Sequence, residues 1–151
     1  MSVITIARQF GSGGKTLGGL VASSLGYTLV DEEIVELIAQ EANVSSEWVD
    51  SVARETGSEK FLERMMFKFG PYRKGYVNIA TETNPGYFDG NIYISLLYKI
   101  IPKIAAQDNV VILGRGGPYL LDHDPACYDV RVFADAEYRV SLRLVHVERV
   151  R

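Results

Sequence analysis

The stretch from Val3 to Val21 constrains the fold of this 151-residue chain more than any other part. It opens with a short apolar run from Val3 to Ala7 that is rich in β-branched residues, which is typical of a buried parallel strand. A glycine-rich turn follows and ends at Lys15-Thr16. Apolar residues then recur at helical spacing as far as Gly26, a helix stop: Leu17, Leu20, Val21 and Leu25. The predicted order is strand, glycine loop, helix.

Such a unit has a physical reason to bind phosphate. Glycines let successive backbone N–H groups turn toward phosphate oxygens, and the following helix offers its N-terminal donors and its dipole. Lys15 adds a positive charge, and the Thr16 hydroxyl can ligate magnesium. The usual pattern places a glycine before the four residues that precede the Gly-Lys pair, and this chain has Gln9 there. The alternative is a turn that only joins strand to helix, for which Lys15-Thr16 is not needed.

Composition excludes several classes of protein. The length favours one domain, and the net charge of −3 does not suit a protein that neutralises many nucleic-acid phosphates. We therefore expect local phosphate recognition and no nucleic-acid partner. The single cysteine, Cys127, excludes an intramolecular disulfide. No apolar run reaches membrane-spanning length and the N-terminus does not resemble a signal peptide, so we expect a cytoplasmic protein with no membrane partner.

The rest of the chain alternates strands with helices. Further strands are predicted at 27–30, 110–113 and 128–133. Between the second and the third of the four strands, three helices are predicted. The first covers about 31–40, the second begins at an N-cap at Ser45 or Ser46 and ends near Gly57, and the third covers about 58–69. Pro102 either kinks the next helix or begins a new one. The residues predicted to face inward from these helices are Ile34, Leu37, Ile38, Trp48, Val49, Val52, Ile92, Leu96, Ile100 and Ile104.

The predicted helical insertion changes its charge along its length. Acidic residues dominate as far as Glu63, and a basic stretch with interleaved aromatic residues follows: Arg64, Phe67, Lys68, Phe69, Tyr72, Arg73, Lys74 and Tyr76. Such a stretch suits a base stacked on a ring with its phosphate held by cations, which makes Arg73 a candidate substrate-binding residue. A solvated face over a small core is the alternative.

Three polar features directly follow predicted strands. The glycine loop, Asp31 and Arg115 each come after a strand, so we expect them at the edge of the sheet where ligands bind in parallel α/β folds. Together they would place a phosphate cradle, a carboxylate and a cation in one cleft, the minimum set for phosphoryl transfer. Arg115 could instead pair with a neighbouring acid. In the closing helix, Arg139 and Arg143 are expected to project from one face.

The sequence resembles the cytidylate kinase-like family, a branch of the P-loop nucleoside monophosphate kinases. The segments that match are ITIARQFGSGGKTLGGLVASSLGY, VDEEIV, VVILGRGGPYLL and DAEYRVSLRL, and the most specific pieces are GSGGK and LGRGG. The resemblance covers nearly the whole chain. It implies an α/β P-loop NTPase three-layer sandwich, with four parallel strands here and the family's fifth missing. It also implies a single kinase domain over 1–151, with an acceptor-binding helical insertion at about 31–90.

The resemblance further implies that ATP and Mg²⁺ are the cofactors and that CMP or dCMP accepts the phosphoryl group. Lys15 would act on the transferring group, Arg115 on the acceptor phosphate, and Asp31 near the acceptor nucleotide. Arg139 and Arg143 would contact the transferring phosphoryl group, and Thr16 would ligate the metal. The residues that would hold the ATP phosphates are Gly11, Ser12, Gly13, Gly14, Lys15 and Thr16.

Two departures from the family shape these expectations. Many members have arginine where this chain has Lys15, which brings its loop closer to ordinary P-loop kinases. The chain also ends where the lid would begin, so we expect a truncated kinase that turns over poorly and forms homo-oligomers through an uncovered sheet edge. The alternative functions are a small-metabolite kinase of the shikimate or gluconate type and a non-catalytic nucleotide-binding module.

Overall fold

A four-stranded, all-parallel sheet forms the centre of the fold. The computed structural model describes residues 2–56, 87–121 and 125–141. Within them the strand order is β2-β3-β1-β4, so β1 lies between β3 and β4 and does not pair with β2. The strands are β1 (Val3–Arg8), β2 (Thr28–Val30), β3 (Val110–Leu113) and β4 (Cys127–Val132). The prediction of an α/β fold with four parallel strands is confirmed.

The pairing register aligns the carboxyl ends of the strands. Ile6 lies opposite Leu113 on one side of β1, and Arg8 lies opposite Val132 on the other. Val30, the last residue of β2, lies opposite Ile112. The segments that follow β1, β2 and β3 therefore all leave the same edge of the sheet, which is the arrangement that the sequence predicted.

Helices follow the strands in the predicted order. Pro102 lies inside one continuous helix that runs from Gly90 to Ala105, so no new helix begins there. Ser45 is the residue that caps its helix, since its hydroxyl accepts from Trp48 N–H at 3.2 Å. The helix predicted at 58–69 lies outside the described residues. The bounds are α1 (Gly14–Leu25), α2 (Glu33–Ala42), α3 (Ser46–Thr56), α4 (Gly90–Ala105) and α5 (Gly117–Leu120), and residues 136–141 are also helical.

Small residues of α1 pack against the sheet. Gly14, Gly18 and Ala22 are its buried positions, and a Cβ on Gly18 would lie 3.3–3.5 Å from side chains of β1, β2 and β3. Of the apolar residues that predicted this helix, Val21 packs partly buried against the core, whereas the leucines are exposed, Leu20 to 62%. The helix is therefore as predicted, but glycine and alanine form its contact face because they allow a close approach to the sheet.

The chain forms two compact units. One contains Met1–Asp31 and Pro102–Arg151, and the other contains Glu32–Ile101. The first holds the sheet, whose core includes Ile6, Ala22, Val111 and Leu113. A single kinase domain with an insertion at about 31–90 stays a prediction. Among the described residues, no helix is both long enough and apolar enough to cross a membrane.

The second unit buries most of its predicted inward residues. Ile34, Ile38, Val49, Val52, Ile92, Leu96 and Ile100 are all buried, as is Ile104 in the first unit. Two predictions are wrong, because Leu37 and Trp48 are exposed while Val35 is buried in place of Leu37. Trp48 makes an edge-to-face contact with Phe88, with ring centroids 6.1 Å apart. Its ring thus packs on one side and meets solvent on the other.

Candidate functional site

Two left-handed glycines shape the turn that follows β1. Gly11 and Gly13 both have a φ of 79°, which residues with a Cβ rarely adopt. Gly13 is also the N-cap of α1, and no side chain caps that helix. The first N–H groups of a helix have no acceptor within it, and the helix dipole is positive there. The turn and the start of α1 therefore suit an anion such as phosphate.

Gln9 stands where the usual phosphate-loop pattern has glycine, and its backbone does not require one. Its φ is not positive, unlike those of Gly11 and Gly13. Gln9 N–H donates to the Val132 carbonyl at 3.0 Å, and its side-chain oxygen accepts from Ala134 N–H at 3.3 Å. Gln9 thus ties the start of the loop to the end of β4, which a glycine could do only through its backbone.

Lys15 and Asp31 meet at the carboxyl edge of the sheet. Lys15 is the second residue of α1, and Asp31 directly follows β2. The lysine Nζ lies 3.6 Å from Oδ2 of the aspartate, whose side chain is only 14% exposed whereas that of the lysine is 65% exposed. The structure therefore brings these two sequence-predicted site residues together.

Arg8, the last residue of β1, places a second cation on the same carboxylate. Its Nη2 lies 3.8 Å from Oδ1 of Asp31, and its side chain is 33% exposed. Burial lowers the pKa of Arg8, the charge of Asp31 opposes that shift, and the charge of Arg115 adds to it. The charge of Arg115 thus acts on Arg8, so the two guanidinium groups lie in the same part of the site.

The turn after β3 holds Arg115 in a left-handed conformation. Its φ is 53°, and the flanking Gly114 and Gly116 have φ values of 74° and 75°. Gly114 N–H donates to the Ile6 carbonyl of β1 at 2.9 Å, which fixes the turn beside the first strand. A left-handed backbone costs a residue with a Cβ roughly 1–2 kcal/mol. Such strain is concentrated at functional sites, so it marks Arg115 as a candidate.

Three cations and one carboxylate thus belong to the same edge of the sheet: Arg8, Lys15, Arg115 and Asp31. A family model described as the cytidylate kinase-like family matches residues 3–149. The chain belongs to the cytidylate kinase-like family. The family is named after enzymes that phosphorylate a nucleotide, cytidylate. An excess of positive charge at the carboxyl edge suits such a protein because nucleotide phosphates are anionic.

A solved structure of similar fold comes from Eubacterium ventriosum ATCC 27560 and is titled as an uncharacterized protein. The TM-score is 0.58 at 15% sequence identity, so the likeness concerns the fold alone. The alignment covers 98% of this cytidylate kinase-like chain and 63% of the other, so the chain spans less than two thirds of that protein's length. No curated protein matches the chain.

The sequence predicts that the hydroxyl of Thr16 ligates magnesium. Thr16 is exposed and follows Lys15 in the first turn of α1. No group of three or more acidic, histidine or cysteine side chains that could hold a metal ion occurs among the described residues. Mg²⁺ commonly keeps several waters and binds through few protein oxygens together with substrate phosphates. One hydroxyl at the phosphate loop therefore fits Mg²⁺ that arrives with a nucleotide.

Arg139 packs against the glycine loop at Phe10 and Gly11. Its Nε donates to the Ala134 carbonyl at 3.0 Å, and its Nη1 donates to the Phe10 carbonyl at 3.5 Å. A Cβ on Gly11 would lie 3.1 Å from the Arg139 carbonyl oxygen. These contacts support the loop, and the predicted action of Arg139 on the transferring phosphoryl group stays a prediction. Arg73 and Arg143 lie outside the described residues.

Arg8 is the site residue that the sequence did not suggest. It ends a strand whose other residues are apolar or small, and it directly precedes the loop. The useful signal was its position, because it is a cation at the carboxyl end of a parallel strand, as Arg115 is. The phosphate-loop pattern does not include Arg8, because the pattern begins one residue later.

Proposed function

We propose that this chain is the kinase domain, or part of it, that transfers the γ-phosphoryl group of ATP to a nucleoside monophosphate, with CMP or dCMP as the acceptor. The observation that supports this most directly is the contact between Lys15 and Asp31 beside the glycine loop. Both residues lie at the carboxyl ends of the strands, where the turn after β3 also holds Arg115. Family membership supports phosphoryl transfer as the reaction class, and the specific acceptor is our inference from it.

The proposed roles follow from charge and position. The backbone N–H groups of the loop from Gly11 to Gly14 would bind the β- and γ-phosphates, and Lys15 would stabilise the negative charge of the transferring phosphoryl group. Mg²⁺, which Thr16 would help to hold, supplies further neutralisation of phosphate charge when it is bound. Arg115 would hold the acceptor phosphate through a charge-assisted, bidentate contact.

Phosphoryl transfer needs little covalent participation by the protein. Fixed cations and loop N–H groups lower the barrier by positioning the two phosphates and by stabilising charge as it moves toward the leaving oxygen. Asp31 is proposed to act on the acceptor side. Arg139, and Arg73 and Arg143 outside the described residues, are proposed as additional phosphate or substrate contacts.

A coupled assay of ADP release tests the proposal. The chain would be incubated with MgATP and, in turn, CMP, dCMP, UMP, AMP, GMP, shikimate and gluconate. We expect the highest kcat/KM with CMP or dCMP. Titration calorimetry with a non-hydrolysable ATP analogue would measure nucleotide binding independently of turnover.

The alternatives give different results in the same two measurements. Turnover with shikimate or gluconate as the acceptor, and with none of the nucleoside monophosphates, would contradict the proposal in favour of a small-metabolite kinase. Binding of the ATP analogue without turnover on any acceptor would contradict it in favour of a nucleotide-binding module.

A further inference from the structure

The side chain of Arg8 crosses the edge of the sheet through space that two glycines leave open. The sheet order places β3 between β1 and β2, so a residue at the end of β1 must pass over the end of β3 to reach Asp31. A Cβ on Gly14 would lie 2.6 Å from the Arg8 Cβ, and a Cβ on Gly114 would overlap the Arg8 Nη1. The path of this side chain therefore depends on glycine at both positions.

The length of arginine suits this path. Neighbouring strands are about 4.8 Å apart, so the ends of β1 and β2 are roughly 10 Å apart across β3. A long side chain with a charged, forked end can span most of that distance and meet a carboxylate at its tip. Arg8 thus links the start of the phosphate loop to the carboxylate that follows β2.

Arg8 and Lys15 differ in how freely each can leave Asp31. The Arg8 side chain is one third exposed and passes close to the backbone of Gly14 and Gly114, whereas Lys15 is 65% exposed. An exposed lysine contact exchanges readily with solvent or with another anion, because its attraction is weak in water. A carboxylate that is 14% exposed is costly to leave without a counter-ion.

We propose that Arg8 is a positioning residue of the phosphate site. Its guanidinium is the lasting counter-ion of Asp31, and this allows Lys15 to exchange the carboxylate for a phosphate group of the nucleotide. Without Arg8, Asp31 would hold Lys15 more strongly, and Lys15 would have to break that contact before it could bind a phosphate. This inference rests on the proposed binding of a nucleotide at the glycine loop.

The inference predicts an unusual pattern in a double-mutant cycle. We would titrate the chain and its variants with a non-hydrolysable MgATP analogue, and separately with inorganic triphosphate, by calorimetry. Arg8→Gln should weaken binding by roughly tenfold or more. Adding Asp31→Asn to Arg8→Gln should restore affinity to within about threefold of the parent, since Lys15 is then released. Asp31→Asn alone should bind as tightly as the parent or more tightly.

Controls separate this role from general loss of structure. Arg131→Gln removes the same charge from an exposed position on β4 and should change affinity by less than about twofold. Far-UV circular dichroism and urea unfolding would follow the fold of each variant. If Arg8→Gln does not fold, Asp31→Asn alone decides, and a drop in its affinity of roughly tenfold would overturn the inference.

The result also distinguishes this inference from the proposed function. Restored binding in the double variant of a chain without kinase turnover would support Arg8 and contradict the kinase. Turnover by the parent, with a double variant that binds as weakly as Arg8→Gln, would overturn the role of Arg8 alone. A parent chain that binds neither the analogue nor triphosphate would overturn both.

Discussion

Two glycine-rich turns leave the same edge of the sheet, one after β1 and one after β3, and they use glycine differently. In the first, both left-handed positions, Gly11 and Gly13, are glycines. In the second, the left-handed run also includes Arg115, at a φ of 53°. The first turn leads into the twelve-residue helix α1, and the second leads into the four-residue helix α5.

The difference separates two ways of building a phosphate contact. The first turn presents backbone N–H groups and the start of a long helix, so it can bind phosphate without side chains at its glycine positions. The second presents a side chain, and it holds that side chain in a strained backbone between two glycines. A left-handed arginine is not required for making a turn, because glycine would do so without strain. The strain therefore points to a role for the guanidinium itself.

The largest expected effect sharpens the contrast at the first turn. Lys15→Ala removes the charge that accompanies the backbone contacts, and we expect kcat/KM for ATP to fall by about 100-fold or more. The fold should persist because most of the Lys15 side chain is exposed. Steady-state kinetics measures kcat/KM, and thermal unfolding checks that the variant is folded. Lys103→Ala, which changes an exposed lysine of α4, should leave kcat/KM unchanged, and a Lys15→Ala variant with the parent's rate would contradict the loop assignment.

The next effect tests the strain at the second turn. Arg115→Asn should lower kcat/KM for the acceptor about 30-fold, equivalent to about 2 kcal/mol, because a charge-assisted phosphate contact is lost. The free energy of unfolding should rise by up to about 1 kcal/mol, since asparagine adopts the left-handed region more readily than arginine. Acceptor kinetics at saturating ATP and urea unfolding measure the two changes.

The reverse substitution is a matched control for this prediction. Asn109 is exposed and has a φ of 54°, nearly that of Arg115. Asn109→Arg should lower the free energy of unfolding by about 1 kcal/mol without changing acceptor kinetics. Loss of stability in Arg115→Asn, with unchanged kinetics, would show that Arg115 serves the turn and not a substrate.

The smallest effect concerns the residue that departs from the usual pattern. Gln9→Gly completes the phosphate-loop pattern but removes the hydrogen bond to Ala134. We expect the free energy of unfolding to fall by about 1 kcal/mol and the affinity for an ATP analogue to stay the same. Gln9→Glu keeps an acceptor for that N–H and should be closer to the parent in stability. Tighter ATP binding by Gln9→Gly would mean that the loop needs the missing glycine.

Local patterns in the sequence predicted most of the fold because they report local preferences. The continuous run Val110–Leu113 is fully buried in β3, and the strand, glycine loop and helix at the N-terminus formed in the predicted order. The face that a helix buries was less predictable. The leucines of α1 suggested an apolar stripe, but the sheet accepts Gly14, Gly18 and Ala22 because close packing there favours small residues.

The candidate site was predictable only where position along a strand was enough. The sequence placed the glycine loop, Asp31 and Arg115 after strands, and the parallel register brings those ends to one edge of the sheet. It did not suggest the contacts of Arg139 with the Phe10 and Ala134 carbonyls. Helical spacing states which face a residue occupies, but not what another segment places against that face.

The sequence by itself determined the parallel α/β order, the glycine loop before Lys15 and the family to which the chain belongs. Tertiary structure alone decided that Arg8 and Lys15 share the carboxylate of Asp31. The physical reason is the strand order. Because β3 lies between β1 and β2, the Arg8–Asp31 pair exists only if the chain brings Gly114 under the arginine, and no local pattern encodes that crossing.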